Sequence, residues 1–202
     1  DDVVKRENWG TSILVERGRY GVLKTRIAEE WALARSFDVR RIDRRLDEFL
    51  RRTEREPAIA LAGLDKMPPR RMLGRPGFEY VVDAGLGASV DDYRKFRVNV
   101  FDSTTDPARH FDQVEDQTTQ AVAHLMALPA YKELVESGAS DSCGAAMLAE
   151  QSVAVPFVSA FAGAFVVAQG VRLASGVAPY FTVTGDIGDL RSIRAALGVE
   201  AK

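Results

Sequence analysis

The sequence predicts an α/β fold in which helices flank a mainly parallel sheet. Segments typical of strands and of helices alternate along the 202 residues, as they do in proteins built from βαβ units. Residues 58–64 are a continuous apolar run, which is the pattern of a strand buried on both faces, and residues 78–84 predict a second buried strand. Hydrophobic residues make up 46% of the chain and charged residues 28%, as in a soluble globular protein.

The first half of the chain predicts helices around one buried strand. Residues 21–37 repeat apolar side chains at helical spacing between charged ones. Residues 38–45 alternate apolar residues with arginines, which indicates a short strand, and residues 46–54 are rich in Arg and Glu, as surface helices are. The buried strand at 58–64 follows. A Pro-Pro pair then favours the first turn of a short helix at 68–71.

The second half predicts three strands, at 78–84, 97–101 and 180–184, and three helical segments. The helical segments are 110–137, interrupted near Pro129, then 143–175, as one long helix or a pair, and 190–197. The longest apolar stretch, 153–168, is about 16 residues long, whereas a membrane span needs roughly 20. We therefore expect a buried or interface helix there. Neither an internal repeat nor a low-complexity linker is visible, so residues 1–202 are expected to form one domain.

The overall charge and the single cysteine limit the classes of function. The chain has 27 Lys and Arg against 29 Asp and Glu, so we expect no nucleic-acid partner and no membrane partner. Cys143 is the only cysteine, which excludes an internal disulfide and a cysteine-rich zinc site; we expect no zinc and a cytoplasmic location. The opening residues Asp1 to Val4 are typical of the end of a strand, so further sequence is expected before them.

Four short motifs place polar or reactive side chains beside predicted strand ends and helix starts. In chain order they are Asp2-x-Val4-x-x-x-Asn8, Gly21-x-x-Lys24, Asp65 with Arg70 five residues later, and Cys143 before the long apolar helix. Ligands of open α/β sheets bind at the C-terminal ends of the strands. We therefore expect Asp65 to end a central parallel strand and to face the same crevice as Asn8 and Lys24.

This order and spacing resemble the E1-like adenylyltransferases, which include the ThiF-type activating enzymes of the thiamine and molybdopterin pathways and the eukaryotic ubiquitin activators. The family pattern runs Asp-x-Asp-x-Val-x-x-x-Asn, then Gly-x-x-Lys, then Asp-Asn-x-x-x-Arg after a strand, then a cysteine before a helix rich in Gly and Ala. The resemblance implies a Rossmann-like sheet, truncated at its N-terminus because the family's Gly-rich loop would precede Asp1. It also implies a homodimer that uses ATP to adenylate the C-terminal carboxylate of a ubiquitin-like protein, a sulfur-carrier protein or a peptide.

The resemblance gives the motif residues roles in ATP binding and adenylation. Asp2, Asn8 and Lys24 take ATP-binding positions, and Lys24 takes that of the lysine that meets the phosphates. Asp65 takes the position of the aspartate that supports adenylation with Mg²⁺ and ATP, and Arg70 that of the arginine after it. A cation and a carboxylate that binds Mg²⁺ suit this chemistry, because negative charge builds on the α-phosphate as pyrophosphate leaves.

Cys143 has two interpretations. It falls where some members of the family carry the cysteine that forms a thioester or an acyl disulfide. A helix that begins near Cys143 would lower the pKa of its thiol and favour the thiolate. A small cysteine buried against the following helix would fit the same sequence.

Several residues favour less specific interpretations or other functions. Lys66 stands where the family has Asn, and Thr11 where many members have Arg, which favours a non-catalytic partner subunit. Lys24 and Asp65 taken singly fit a solvated lysine and a turn residue, and His110 fits a residue at a helix start. Residues 85–89 (GLGAS) resemble the start of a dinucleotide-binding loop without its third glycine, so a nucleotide-dependent oxidoreductase is a weaker alternative.

Overall fold

The computed structural model describes residues 2–6, 8, 12–87, 92–112, 129, 133, 136 and 156–197. The chain falls into two compact units, Asp1–Asp47 and Glu48–Lys202. Cys143 and Thr11 lie outside the described residues.

The first unit contains helix α1, Lys24–Leu33, and a short antiparallel bridge. Val3 pairs with Leu23, and the backbone N–H of Gly21 donates to the carbonyl oxygen of Val4 at 2.8 Å. Gly21 has a φ of +81°, a left-handed conformation that favours glycine at this turn. The bridge holds the first residues of the chain beside the start of the helix that the spacing at 21–37 predicted.

The strand predicted at 38–45 and the helix predicted at 46–54 do not form; both segments are irregular. Most side chains there are exposed, so no apolar face orders the backbone as a regular element. The Arg51 side chain instead donates to the carbonyl oxygens of Glu48 at 2.6 Å and Leu50 at 2.8 Å. The charged residues that suggested a surface helix therefore include an arginine that makes local side chain–backbone contacts.

The second unit is built on a mixed sheet of five strands in the order β1-β2-β3-β4-β5. The strands are β1 (Ile59–Ala62), β2 (Tyr80–Leu86), β3 (Lys95–Asp102), β4 (Tyr180–Asp186) and β5 (Asp189–Leu197). β1 and β2 are parallel, and the three other neighbouring pairs are antiparallel. The α/β class is confirmed, but the described sheet is mostly antiparallel, so a mainly parallel, Rossmann-like sheet is not confirmed.

The lengths of three connections agree with this topology; the long connection from β3 to β4 permits either direction. A parallel pair needs a crossover of roughly a dozen residues or more. The connection from β1 to β2 is long enough and includes helix α2, Met67–Arg71. Residues 87–94 and residues 187–188 are too short for a crossover, so β3 and β5 each turn back beside the preceding strand.

The helix predicted at 190–197 is wrong, because these residues form β5. Their Leu, Arg and Ala content is compatible with a helix, but pairing with β4 overrides that local preference. The Ser192 hydroxyl accepts a hydrogen bond of 2.7 Å from the backbone N–H of Asp186, next to an irregularity in the β4–β5 register. A tertiary contact of this kind leaves no periodic signal in the sequence.

Helix α3, Pro156–Ala174, packs against one face of the sheet. The shared core is apolar and consists of Val82, Phe96, Val98, Val100, Val158, Ala162, Val166 and Val183. The helix predicted at 143–175 is thus confirmed from residue 156 onward, and its earlier residues lie outside the described part. By length and composition α3 could cross a membrane, a test that core helices of soluble proteins also pass.

Helix α2 and the helical residues 107–112 lie on the opposite face. The Phe101 ring of β3 lies 5.6 Å from the Phe111 ring and 5.4 Å from the His110 ring. Arg71 of α2 forms an ion pair with Asp112 at 2.7 Å. The second unit therefore has three layers, with polar residues gathered between the sheet and this second helical layer.

Candidate functional site

Two of the predicted ATP-binding residues meet in the first unit. The Lys24 ammonium lies 2.6 Å from the carboxylate of Asp2, and the backbone N–H of Lys24 donates to the carbonyl oxygen of Asp2 at 2.9 Å. The hydrogen bond from Lys24 lowers the pKa of the Asp2 carboxyl. Both side chains are exposed, so this ion pair contributes little stability, about 0–1 kcal/mol, and Lys24 stays accessible to solvent.

Asn8 shapes a tight turn in the same unit. Its side-chain oxygen accepts a hydrogen bond from the backbone N–H of Lys5 at 2.9 Å. Its own N–H donates to the carbonyl oxygen of Lys5 at 3.0 Å, and its carbonyl oxygen accepts from Ser12 at 3.1 Å. These bonds give Asn8 a structural part in the loop, whatever further ligand contact it makes.

Asp65 lies three residues after the end of β1 and just before α2. Its side chain is exposed and makes no hydrogen bond or ion pair within the described part of the chain. Because β1 and β2 run in parallel, Asp65 lies at the edge of the sheet where both strands end. β1 is the first strand in the sheet order and not a central one. Asn8 and Lys24 belong to the other unit, so the common crevice stays a prediction.

Arg70 is buried, with 7% of its surface exposed, and forms an ion pair with Asp83 of β2, which is 0% exposed. Its Nε donates to one carboxylate oxygen at 3.2 Å and its Nη2 donates to the other. Its guanidinium also lies 4.5 Å from the centre of the Phe111 ring. Arg70, predicted as catalytic, therefore has both sides of its guanidinium engaged between the sheet and the second helical layer.

Asp83 is a residue that the sequence interpretation missed. Burial raises the pKa of its carboxyl, and the hydrogen bonds from Arg70 oppose that rise. A charged residue inside an apolar strand needs a buried partner of opposite charge. The aspartate in the run FEYVVDA was the available signal, and an arginine on a neighbouring element was the partner to expect.

Gly85, two residues further along β2, provides the space for this ion pair. A Cβ atom at Gly85 would lie 2.8 Å from Nη2 of Arg70 and 3.2 Å from Nη1. Gly87 is also sterically required, because a Cβ there would lie 1.8 Å from the carbonyl oxygen of Asp92. Residues 85–89 were the possible start of a dinucleotide-binding loop. Gly85 and Leu86 belong to β2, so they do not form a loop before a helix, and Ala88 and Ser89 lie outside the described residues.

We expect Gly85→Ala to lower the free energy of unfolding by about 1–3 kcal/mol, because the added methyl group overpacks the buried guanidinium. Gly63→Ala is the matched control, since a Cβ there meets nothing within 4 Å among the described residues and Gly63 has an ordinary φ. Urea unfolding of both variants measures the difference. Equal stabilities would contradict a tightly packed Arg70.

A cavity of about 460 Å³ opens between the sheet and the second helical layer. Its polar lining includes Arg97 and Asn99 of β3, Thr184 of β4 and His110. The Asn99 side-chain nitrogen and the His110 Nε2 are buried and have no hydrogen-bond partner among the described residues. Burial lowers the pKa of His110, and the Arg97 charge lowers it further, so the neutral imidazole is favoured. This cavity was not predicted from sequence.

Two further predictions concern the thiol of Cys143 and the ligands of Mg²⁺. Cys143 lies outside the described residues, so both interpretations of its thiol stand as they were. Within the described ranges, no group of three or more His, Cys, Asp or Glu residues could hold a metal ion. Any Mg²⁺ bound at Asp65 would therefore need ligands beyond those ranges, including ATP phosphates or water.

Comparison with protein families identifies a match to the BilD C-terminal domain over residues 1–177. The bacterial E1-like protein BilD from Collimonas sp. (strain OK412) is 29% identical over 192 residues. That alignment covers 95% of this chain and 41% of BilD, so the chain spans about two fifths of this relative's length. The comparison supports an E1-like relationship and does not separate the ThiF-type branch from others.

Among solved structures, the crystal structure of selenomethionine PaaA is similar in fold. The TM-score is 0.53 at 16% sequence identity, and the match covers 98% of this chain and 61% of the PaaA chain. At this identity the similarity concerns the fold alone.

Proposed function

Because the chain belongs to the family of BilD C-terminal domains and is related to E1-like proteins, we propose that it takes part in ATP-dependent activation of a carboxyl terminus. In a longer protein, this domain contributes to adenylating the C-terminal carboxylate of a ubiquitin-like protein, a sulfur-carrier protein or a peptide. Cys143 then accepts the acyl group or supports sulfur transfer. Adenylation is supported more specifically by the ThiF-type motif pattern than by the family match. That pattern consists of Asp2, Asn8, Lys24 and Asp65.

The observation that carries the proposal is the position of Asp65. Its exposed carboxylate follows the end of β1, at the edge where the two parallel strands end. Parallel α/β sheets bind their ligands at this end of the strands, and β1 and β2 are the parallel pair of this sheet. The side chain has no partner within the described residues, so it is available to bind one.

The residues present suit Mg²⁺ and ATP as cofactors. Oxygen ligands such as the Asp65 carboxylate are those that Mg²⁺ prefers, and the exposed Lys24 ammonium suits a phosphate. ATP would supply the adenylyl group, and Mg²⁺ would neutralise charge at the α-phosphate. Asp65 would hold the metal ion, and Asp2 would hold the Lys24 side chain in place.

A second candidate is a non-catalytic partner subunit in an E1-like assembly. Lys66 supports it, because a lysine follows Asp65 where the family pattern has Asn. The two candidates differ in one measurable reaction. ATP–pyrophosphate exchange by the full-length protein, stimulated by its carboxyl substrate, supports the enzyme; binding of the partner without exchange supports the subunit.

We also propose that α3 packs against the same helix of a second copy. Its outward face is apolar along the whole helix: Phe157, Ala160, Ala164, Val167 and Val171 are exposed. Three of them, Phe157, Val167 and Val171, are more than half exposed, at 55%, 54% and 59%. An obligate dimer interface buries on the order of 2,000 Å² or more and is apolar, which suits this face.

We expect Val167→Glu to dissociate the full-length dimer, because a charge on this face would be buried without a partner. Light scattering across a dilution series measures the change. Phe161 is unsuitable for this test, because its ring packs 5.4 Å from that of Phe96 inside the unit's own core. Val177→Glu, an exposed apolar position beyond α3, is the control and should leave the mass unchanged. A monomer at every concentration for the unmodified protein would contradict the dimer.

A further inference from the structure

The lining of the cavity between the sheet and the second helical layer contains three cationic side chains and two carboxylates. Along β3, Arg97, Asn99 and Phe101 face this layer, because they alternate with Phe96, Val98 and Val100, which belong to the α3 core. The position of Asn99 opposite Asp83 and Thr182 in the strand register places polar side chains across three adjacent strands.

Most charges around the cavity are already neutralised. Arg70 is paired with Asp83, Lys95 with Asp92, and Arg94 with Asp186. Arg97 differs, because its side chain makes no ion pair or hydrogen bond with any residue that the structure describes. Its positive charge is therefore uncompensated within these residues.

Two buried groups in the same lining lack partners. Asn99 is 2% exposed, and its side-chain NH₂ makes no hydrogen bond of standard geometry with a described residue, although it lies close enough to Asp83 to help lower the pKa of that carboxyl. The Nε2 atom of His110 is also buried without a partner there. Leaving a buried polar group without a hydrogen bond is unfavourable, so a ligand that satisfies it binds more tightly. An uncompensated guanidinium and an amide donor together suit an anionic group rich in acceptors.

We propose that this cavity binds a side-chain carboxylate of the peptide segment that precedes the activated carboxyl terminus. The proposal rests on the proposed function, because it places the substrate beside Asp65. Met67, two residues after Asp65, lines the cavity, so the cavity opens next to the sheet edge where activation is proposed. The carboxylate pairs with Arg97, and a neighbouring backbone carbonyl accepts a hydrogen bond from Asn99.

The position favours a peptide over the nucleotide as occupant. The polar groups here are a guanidinium, an amide and an imidazole on strands and on residues 107–112, whereas phosphates are commonly held by backbone N–H groups at a helix start. Its volume, about 460 Å³, lies in the range of specific ligand sites and accommodates a short stretch of chain.

The test measures direct binding, without ATP, of labelled glycine-rich peptides to the full-length protein by fluorescence anisotropy. One peptide carries a single aspartate near its carboxyl terminus, and a matched peptide carries asparagine there. We expect the aspartate peptide to bind about tenfold more tightly or better, because charge-assisted hydrogen bonds are the stronger kind. Arg97→Gln should remove this preference. Arg191→Gln, which changes an exposed arginine outside the lining that is paired with Asp189, should keep it.

The remaining outcomes show whether the ligand is a peptide or a free anion, and whether a failure concerns the cavity or the catalytic function. Competition by free acetate or inorganic phosphate as strong as that by the peptide would overturn the peptide assignment. Equal binding of both peptides, or a preference that survives in Arg97→Gln, would overturn the cavity's role. Since Arg97 is exposed, its variant should keep the unfolding midpoint, which excludes misfolding as the cause. Peptide preference without pyrophosphate exchange would retain this inference and reject the catalytic function.

Discussion

Asp83→Ala is expected to lower the free energy of unfolding of the second unit by about 3–5 kcal/mol, which is the usual cost of removing one partner of a buried ion pair. Asp83 is completely buried, and its two carboxylate oxygens accept the hydrogen bonds of Arg70. Without that carboxylate, the guanidinium stays inside the protein with no compensating charge. Urea unfolding followed by circular dichroism measures the loss.

This effect is large because Asp83→Ala leaves the charge of Arg70 buried without a partner. The net contribution of the ion pair to the free energy of unfolding is small. Burying two ions costs several kcal/mol per ion, which their attraction largely offsets. Arg70→Met combined with Asp83→Leu should therefore be much more stable than Asp83→Ala alone. If the single variant were as stable as the parent protein, Arg70 would have another partner or would reach solvent.

The same pair shows what the sequence could reveal about the fold. The largely apolar runs around β1 and β2 predicted both strands. The expected burial of β1 on both faces was wrong, because β1 is the first strand in the sheet order and its Leu61 is 52% exposed. Asp83 interrupts one of those runs, and its contact with Arg70 joins residues 13 positions apart. Such a contact depends on how α2 crosses the sheet, which the local pattern does not determine.

The errors in the sheet have a similar origin. The pattern of residues showed where strands lie but not which way they pair; the short connection at 187–188 was the signal for an antiparallel pair. β5 was predicted as a helix because its composition suits either element, and only the edge of β4 selects a strand. The cavity was missed for the same reason, since Arg97, Asn99 and His110 meet only through strand register and packing of residues 107–112.

In the full-length protein, Asp65→Ala should lower the rate of ATP–pyrophosphate exchange by about a hundredfold or more, because single groups that stabilise transition-state charge have effects of this size. The fold should be unaffected. Asp65 is exposed and has no partner in the described part of the chain, and surface substitutions of this kind change stability by about 0.5 kcal/mol or less.

The control for this experiment is Asp189→Ala, which removes an exposed carboxylate whose described partner is Arg191 and which lies outside the candidate site. It should leave the exchange rate close to that of the parent protein. Binding of the carboxyl substrate should persist in Asp65→Ala, because the peptide contacts proposed for Arg97 and Asn99 do not involve this carboxylate. Near-normal exchange in Asp65→Ala would remove Asp65 from the catalytic site, and the Mg²⁺ ligand would then have to lie elsewhere in the longer protein.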